Sequence, residues 1–238
     1  MNAVEDSVSP IHDHRGRLTG AVLVFRDVSD ARAVRERLVY SAGHDSLTGL
    51  PNRGLFNDRL TQGLALAWRN DQRMAVLYLD LDGFKPVNDY FGHEIGDRLL
   101  KSVSARLRRC VRSSDTVGRQ GGDEFLILLS DLAHARDAEV ISSKILCALA
   151  APHRVGAQVL TVGASIGIAN YPDDGADAES LVSHADAVMY QAKFSGGNGY
   201  RFFDAVVHSP IGRIKLPRIL GPGNGSAGLR VVRGNLPG

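Results

Sequence analysis

Two stretches of the chain, 74–81 and 125–129, are almost unbroken in apolar residues. Runs of that length, bounded by polar and turn-forming residues, read as strands of a central sheet covered by helices. A helical period takes over in 96–111, where Leu99, Leu100, Val103, Leu107 and Cys110 share one face. The same reading along 45–204 predicts helices at 54–67, 88–90, 135–149 and 178–194. It predicts strands at 74–80, 115–118, 124–129, 158–162, 165–171 and 200–203. Helices mixed with a largely antiparallel sheet point to an α+β sandwich. Ahead of this domain, 6–12 and 18–27 read as two short strands joined by a turn at Asp13-His14-Arg15-Gly16. Such a pair alone is marginal in water. In 29–42, Ala31, Val34, Leu38 and Ser41 recur at near-heptad spacing among Arg and Glu, the mark of a short amphipathic helix. That helix can pair with its copy in a parallel dimer or lie on its own domain. Periodicity ends after residue 204, and Gly, Pro and Ser accumulate, as in Gly221-Pro222-Gly223-Asn224-Gly225-Ser226. Residues 205–238 are expected to be mostly disordered.

Composition narrows the class. At 238 residues and 44% hydrophobic, the chain can bury one good-sized core with a small appendage. The net charge of +2 is spread thinly, which argues against DNA or RNA as a partner and leaves a mononucleotide open. Cys110 and Cys147, each within a helical pattern, read as buried, reduced thiols. No apolar run approaches the roughly 18 residues that span a bilayer, so no membrane segment is expected and a cytoplasmic location is.

The chemistry concentrates in two places. The segment Arg119-Gln120-Gly121-Gly122-Asp123-Glu124-Phe125 sets two glycines and two acids at the mouth of an apolar strand. Glycines there permit a tight turn and a close approach of backbone to a phosphate. Asp80-Leu81-Asp82 ends the other apolar strand, where a carboxylate is placed to hold a divalent cation. Taken alone, each could be a solvated strand end; together they read as one site. Downstream follow Phe84, Lys85, Asn88, His93 and Asp97. Asn88 and Asp97 also suit helix capping, and His93 a loop.

From Asp80, the pattern Asp-x-Asp-x-Phe-Lys-x-x-Asn-Asp-x-x-Gly-His-x-x-Gly-Asp, with the Gly-Gly-Asp-Glu-Phe hairpin, resembles the GGDEF diguanylate cyclases. These enzymes condense two GTP into cyclic di-GMP. The resemblance implies a ferredoxin-like nucleotidyl-cyclase palm, a Mg²⁺ cofactor with Mn²⁺ possible, and a homodimer. It implies that Asp80, the Leu81 carbonyl, Asp123 and Glu124 are metal ligands, that Asp123 is the general base, and that Lys85 supports the triphosphate. Phe84, Asn88, His93, Asp97, Gly121, Gly122 and Lys193 are implied to bind substrate, Asn88 and Asp97 by reading guanine. Arg112 and Asp115, in Arg112-Ser113-Ser114-Asp115, resemble the family's inhibitory site, at which cyclic di-GMP binds as product and inhibitor; no arginine stands near Ser143 to complete it. Relatives commonly carry a basic residue where Gly197 stands, and Gln120 also departs from the pattern. Asp45-Ser46-Leu47-Thr48 resembles the motif that opens the domain. Residues 1–28 resemble the last strands of a PAS sensor domain, and 29–44 its linker helix. The alternative is a non-catalytic GTP- or cyclic-di-GMP-binding regulatory module.

Overall fold

The computed structural model describes residues 4–203, 212–213 and 230–232. The chain divides into two units, Met1–His44 and Asp45–Gly238. In the first, β1 (Val4–His12) and β2 (Leu18–Asp27) pair antiparallel from Val4 opposite Asp27 to Ile11 opposite Gly20. Asp13 ties the turn, its Oδ1 accepting from the backbone N–H of Arg15 at 2.8 Å and Arg17 at 2.9 Å. Helix α1 (Ser29–Gly43) follows and runs one residue past the predicted end.

The second unit begins with α2 (Arg53–Asn70), β3 (Arg73–Asp82), α3 (Phe84–Phe91), α4 (His93–Cys110), β4 (Thr116–Gly121) and β5 (Glu124–Leu132). It continues with α5 (Asp137–Ala150), β6 (His153–Val155), β7 (Gln158–Thr161), β8 (Gly163–Tyr171), α6 (Ala178–Phe194) and β9 (Gly199–Phe202). Two short strands follow, β10 (Gly212–Arg213) beside β9 and β11 (Arg230–Val232) beside β7. The rest of the segment expected to be disordered lies outside the described residues.

The main sheet has the order β10-β9-β8-β3-β5-β4, antiparallel except where β8 runs parallel to β9. Helices cover both faces, which explains the unbroken apolar run of β3. Leu77, Leu79 and Leu81 point into one core with residues of α3, α4 and α5. Val76 and Tyr78 point into the other, with residues of α2 and α6. The predicted α+β architecture, a mainly antiparallel sheet flanked by helices, is the one observed. Asn52 caps α2, its Oδ1 accepting from the Leu55 N–H at 3.1 Å.

Cys110 is buried as expected, but Cys147, expected buried, is exposed. Two local expectations of secondary structure also need correction. The short helix predicted at 88–90 spans Phe84–Phe91, because Gly83 at φ +78° turns the chain straight from β3 into a helix. Pro86 falls in its first turn, where a missing N–H costs nothing. Strand β6, three residues long, was not predicted; it forms a hairpin with β7.

β6 carries a buried polar cluster. His153 is fully buried, with Nδ1 2.8 Å from Ser102 Oγ and Nε2 3.0 Å from Arg106 Nη1. Arg106 also donates to the carbonyls of Ala148 (2.7 Å), Ala151 (2.5 Å) and Pro152 (2.6 Å), groups that the end of α5 leaves without helical partners. Burial and the Arg106 charge push His153 down to about 4. The folded state therefore holds the neutral ring. Its contribution is full above the unfolded value of 6.5 and is lost as pH falls toward about 4. In urea titrations, the stability gap between wild type and His153→Gln should shrink by up to about 3 kcal/mol across that window. A gap independent of pH would contradict this.

Candidate active site

The end of β3 and the β4–β5 turn come together through backbone register. Asp80 stands opposite Glu124 on β5 and opposite Ser165 on β8. The Leu81 N–H donates to the Asp123 carbonyl at 3.2 Å, so the turn is tied to the strand that carries Asp80. Gly121 at φ +150° and Gly122 at φ +52° make the turn possible, and a Cβ at either would meet no atom within 4 Å. The constraint on these glycines is thus conformational, and the space beside them is open.

Arg119 locks the turn from below. Its Nε and Nη2 donate to the Gly122 carbonyl at 3.1 and 2.7 Å. Its Nη1 reaches both oxygens of Asp45 at 3.0 Å. Asp45 also accepts from the Thr48 N–H at 2.8 Å and the Thr48 hydroxyl at 2.5 Å. Burial would raise Asp45, but the bonds from Thr48 and Arg119 outweigh it and hold the carboxyl low. The opening motif of the domain is therefore joined to the Gly-Gly turn by one half-buried guanidinium.

Charge at the site is unbalanced toward acids. Asp80 is only 6% exposed, and Lys193, from the last turn of α6, places Nζ 2.6 Å from its Oδ1. Burial and the Asp80 charge push Asp123 upward. Asp82 is raised chiefly by burial, although Ser165 Oγ at 2.8 Å and the Asn198 N–H at 2.6 Å donate to it. Asp186, on α6, is raised by burial and by Asp80. Burial would lower Lys193, but its hydrogen bond to Asp80 and the surrounding carboxylates raise it. Tyr78 donates to Glu124 Oε2 at 3.0 Å, and burial with the Glu124 charge pushes the phenol up.

This surplus of hard oxygen donors fits a divalent cation, with the Lys193 ammonium already standing against Asp80. Among the described residues no three Asp, Glu, His or Cys side chains are grouped to hold an ion by themselves. A cation here would draw on a backbone carbonyl and on ligand oxygens as well as on the acids.

Of the residues singled out in the sequence, Asp80, Asp123, Glu124 and Lys193 are brought together beside Leu81. Lys85 is exposed in the first turn of α3, two residues after Gly83. The Phe84 ring is buried in the core, so any ligand contact falls to its main chain. Asn88 is half-buried near the end of α3 and packs so tightly on Gly96 that a Cβ there would collide with Oδ1. It does not cap α4, whose N-cap is Gly92. His93 and Asp97 are exposed in the first turns of α4. Gly197 adopts φ +66° over Asp82, where a Cβ would lie 2.8 Å from a carboxylate oxygen. The departure from a basic residue there has this geometric counterpart.

Arg112 and Asp115 lie in the loop before β4, at the opposite end of that strand from Gly121. Asp115 accepts from the backbone N–H of Arg112 at 2.9 Å and of Ser130 at 3.1 Å. The Arg112 side chain is exposed. Sequence reasoning missed Tyr78 and gave Arg119 no role. The signal for Tyr78 was a hydroxyl two residues before Asp80 in an otherwise aliphatic strand.

Residues 42–199 match the family described as "Diguanylate cyclase, GGDEF domain". A bifunctional diguanylate cyclase/cyclic di-GMP phosphodiesterase of Pseudomonas aeruginosa, MucR, is 47% identical over 179 residues, which is 75% of this chain and 26% of that protein. The cyclic di-GMP phosphodiesterase PdeR of Escherichia coli is 41% identical over 173 residues, 73% of this chain and 26% of that protein. The chain thus spans about a quarter of these relatives' length. Among solved structures, the GGDEF domain of TpbB from Pseudomonas aeruginosa superposes with a TM-score of 0.67 at 40% identity, covering 68% of this chain and 94% of that one. The coiled coil and GGDEF domain of DgcB from Caulobacter crescentus, solved with c-di-GMP, gives a TM-score of 0.63 at 26% identity over 74% and 93% of the two chains. With its palm-like sheet, its Gly-Gly-Asp-Glu-Phe turn and a family match over most of its length, this chain belongs to the GGDEF-domain diguanylate cyclase family.

Proposed function

We propose that the chain is a Mg²⁺-dependent diguanylate cyclase that condenses two GTP into cyclic di-GMP and two pyrophosphates. The observation that carries this reading is the convergence of Asp80, Asp123 and Glu124 with Lys193 beside an open glycine turn. In each of two steps, a 3′-hydroxyl of one nucleotide attacks the α-phosphate of the other, and pyrophosphate leaves. Alignment and charge neutralisation dominate such a reaction. Asp123 takes the hydroxyl proton; a carboxyl raised by burial and by a neighbouring acid is suited to that task. Asp80, Glu124, Asp123 and the Leu81 carbonyl would hold Mg²⁺ or Mn²⁺, which when bound neutralises phosphate charge. Lys193 and Lys85 add positive charge at the phosphates, and the turn at Gly121-Gly122 leaves room for them. Asn88 and Asp97 face guanine, with His93 beside them.

One subunit presents one GTP, so two copies related by a two-fold axis are required to align both. Helix α1 is the proposed lever of that dimer, and the β1–β2 hairpin the end of a PAS sensor. A second reading is a non-catalytic GTP- or cyclic-di-GMP-binding regulatory module. It is favoured by the likeness to part of a protein named as a phosphodiesterase.

Incubating the purified chain with GTP and Mg²⁺ and resolving the products separates the two. Cyclic di-GMP with two equivalents of pyrophosphate, and none from ATP alone, supports the cyclase; nucleotide binding without turnover supports the module. Replacing Asp123 by Ala should lower turnover by about a hundred- to ten-thousandfold in a folded protein, as expected for loss of a general base. Normal turnover by that variant would overturn the assignment. At the loop before β4, Arg112→Ala should relieve inhibition by cyclic di-GMP, since the guanidinium is the clamp for phosphate and guanine. Unchanged inhibition would remove the regulatory role and leave the catalytic one.

A further inference from the structure

One polar side chain interrupts the aliphatic stretch of β3, and the mechanism above does not use it. Strand alternation sets Tyr78 on the Asp80 face, two residues before it. Its ring, 9% exposed, packs with Phe56, Leu60, Leu126 and Met189 in the core between the sheet and α2 and α6. From that fixed seat its hydroxyl donates to Glu124 Oε2 at 3.0 Å. Glu124 is the residue directly across the ladder from Asp80. A hydrogen bond to one oxygen restricts rotation of the carboxylate and leaves the lone pairs of the other for a cation.

We propose that Tyr78 is a positioning residue for cation binding, its hydroxyl orienting Glu124 toward a divalent ion shared with Asp80. This rests on reading the site as one for GTP and a cation. Groups that orient a metal's own ligands commonly change affinity by about ten- to a hundredfold when removed. A hydroxyl that only filled the hydrogen-bonding need of its own buried oxygen would leave cation affinity untouched when deleted. Phenylalanine at 78 keeps the ring and its packing and removes the donor alone.

The test titrates Mn²⁺ into the full chain, with saturating α,β-methylene-GTP, and reads bound metal by electron paramagnetic resonance. Thermal unfolding of each variant establishes that it is folded. For Tyr78→Phe, the Mn²⁺ dissociation constant should rise about tenfold, while affinity for the analogue without metal stays at the wild-type value. The double variant Tyr78→Phe/Glu124→Gln should bind Mn²⁺ no more weakly than Glu124→Gln alone, since the hydroxyl acts through that carboxylate. Equal Mn²⁺ affinity in wild type and folded Tyr78→Phe overturns the proposal alone, as do losses that multiply in the double variant. A wild type that takes up the analogue but no Mn²⁺ overturns the metal-site reading and the proposal together.

Discussion

A carboxylate at the end of an apolar strand, nearly shut off from water, must be met by positive charge or lose its own. Asp80 is in that position, and Lys193 meets it from α6, 113 positions along the chain. The ammonium answers one acid, while Asp82, Asp123 and Asp186 crowd the same region and are raised by burial and by Asp80. The arrangement costs stability as it stands, and it becomes favourable when further positive charge arrives. Carboxylates crowded in this way, and held in place by a rigid sheet, are what the proposed metal–nucleotide complex would relieve.

What keeps the acids from drifting apart is backbone pairing. Register places Asp80 between Glu124 and Ser165, and the Leu81–Asp123 hydrogen bond prevents the turn from swinging away. Arg119 then ties that turn to Asp45, the first residue of the second unit. Movement of the opening motif would be felt at the Gly122 carbonyl through two charge-assisted bonds. Away from the site, Arg106 on α4 carries out a structural task by clamping the end of α5.

Much of this was readable in the residues. The two apolar runs marked the central strands because both faces of the sheet are covered, and Leu77 and Val76 serve opposite cores. Asp80, Asp123 and Glu124 could be named because each sits at the end of an apolar strand, whereas Lys193 was named only through the family resemblance. Tyr78 was passed over, since in a strand read for apolarity its ring counts as one more hydrophobe. Arg119 was visible, yet its partner Asp45 lies 74 positions away, a pairing no local pattern reports. Asp82 is similar: read as a strand-end acid, it fastens Ser165 and the loop at Asn198 from 83 and 116 positions away. The start of α3 was misplaced, because Gly83 in the left-handed region carries the chain from β3 directly into the helix.

Acids from β3 and from the β4–β5 turn are proposed to share one cation beside a triphosphate. Anomalous diffraction from crystals of the chain grown with Mn²⁺ and α,β-methylene-GTP tests this most directly. A manganese peak about 2.1 Å from an Asp80 oxygen, also bonded to Asp123 or Glu124, with Lys193 moved onto the phosphates, is the predicted result. Bound nucleotide with no manganese near Asp80, and Lys193 still paired with it, would contradict the account.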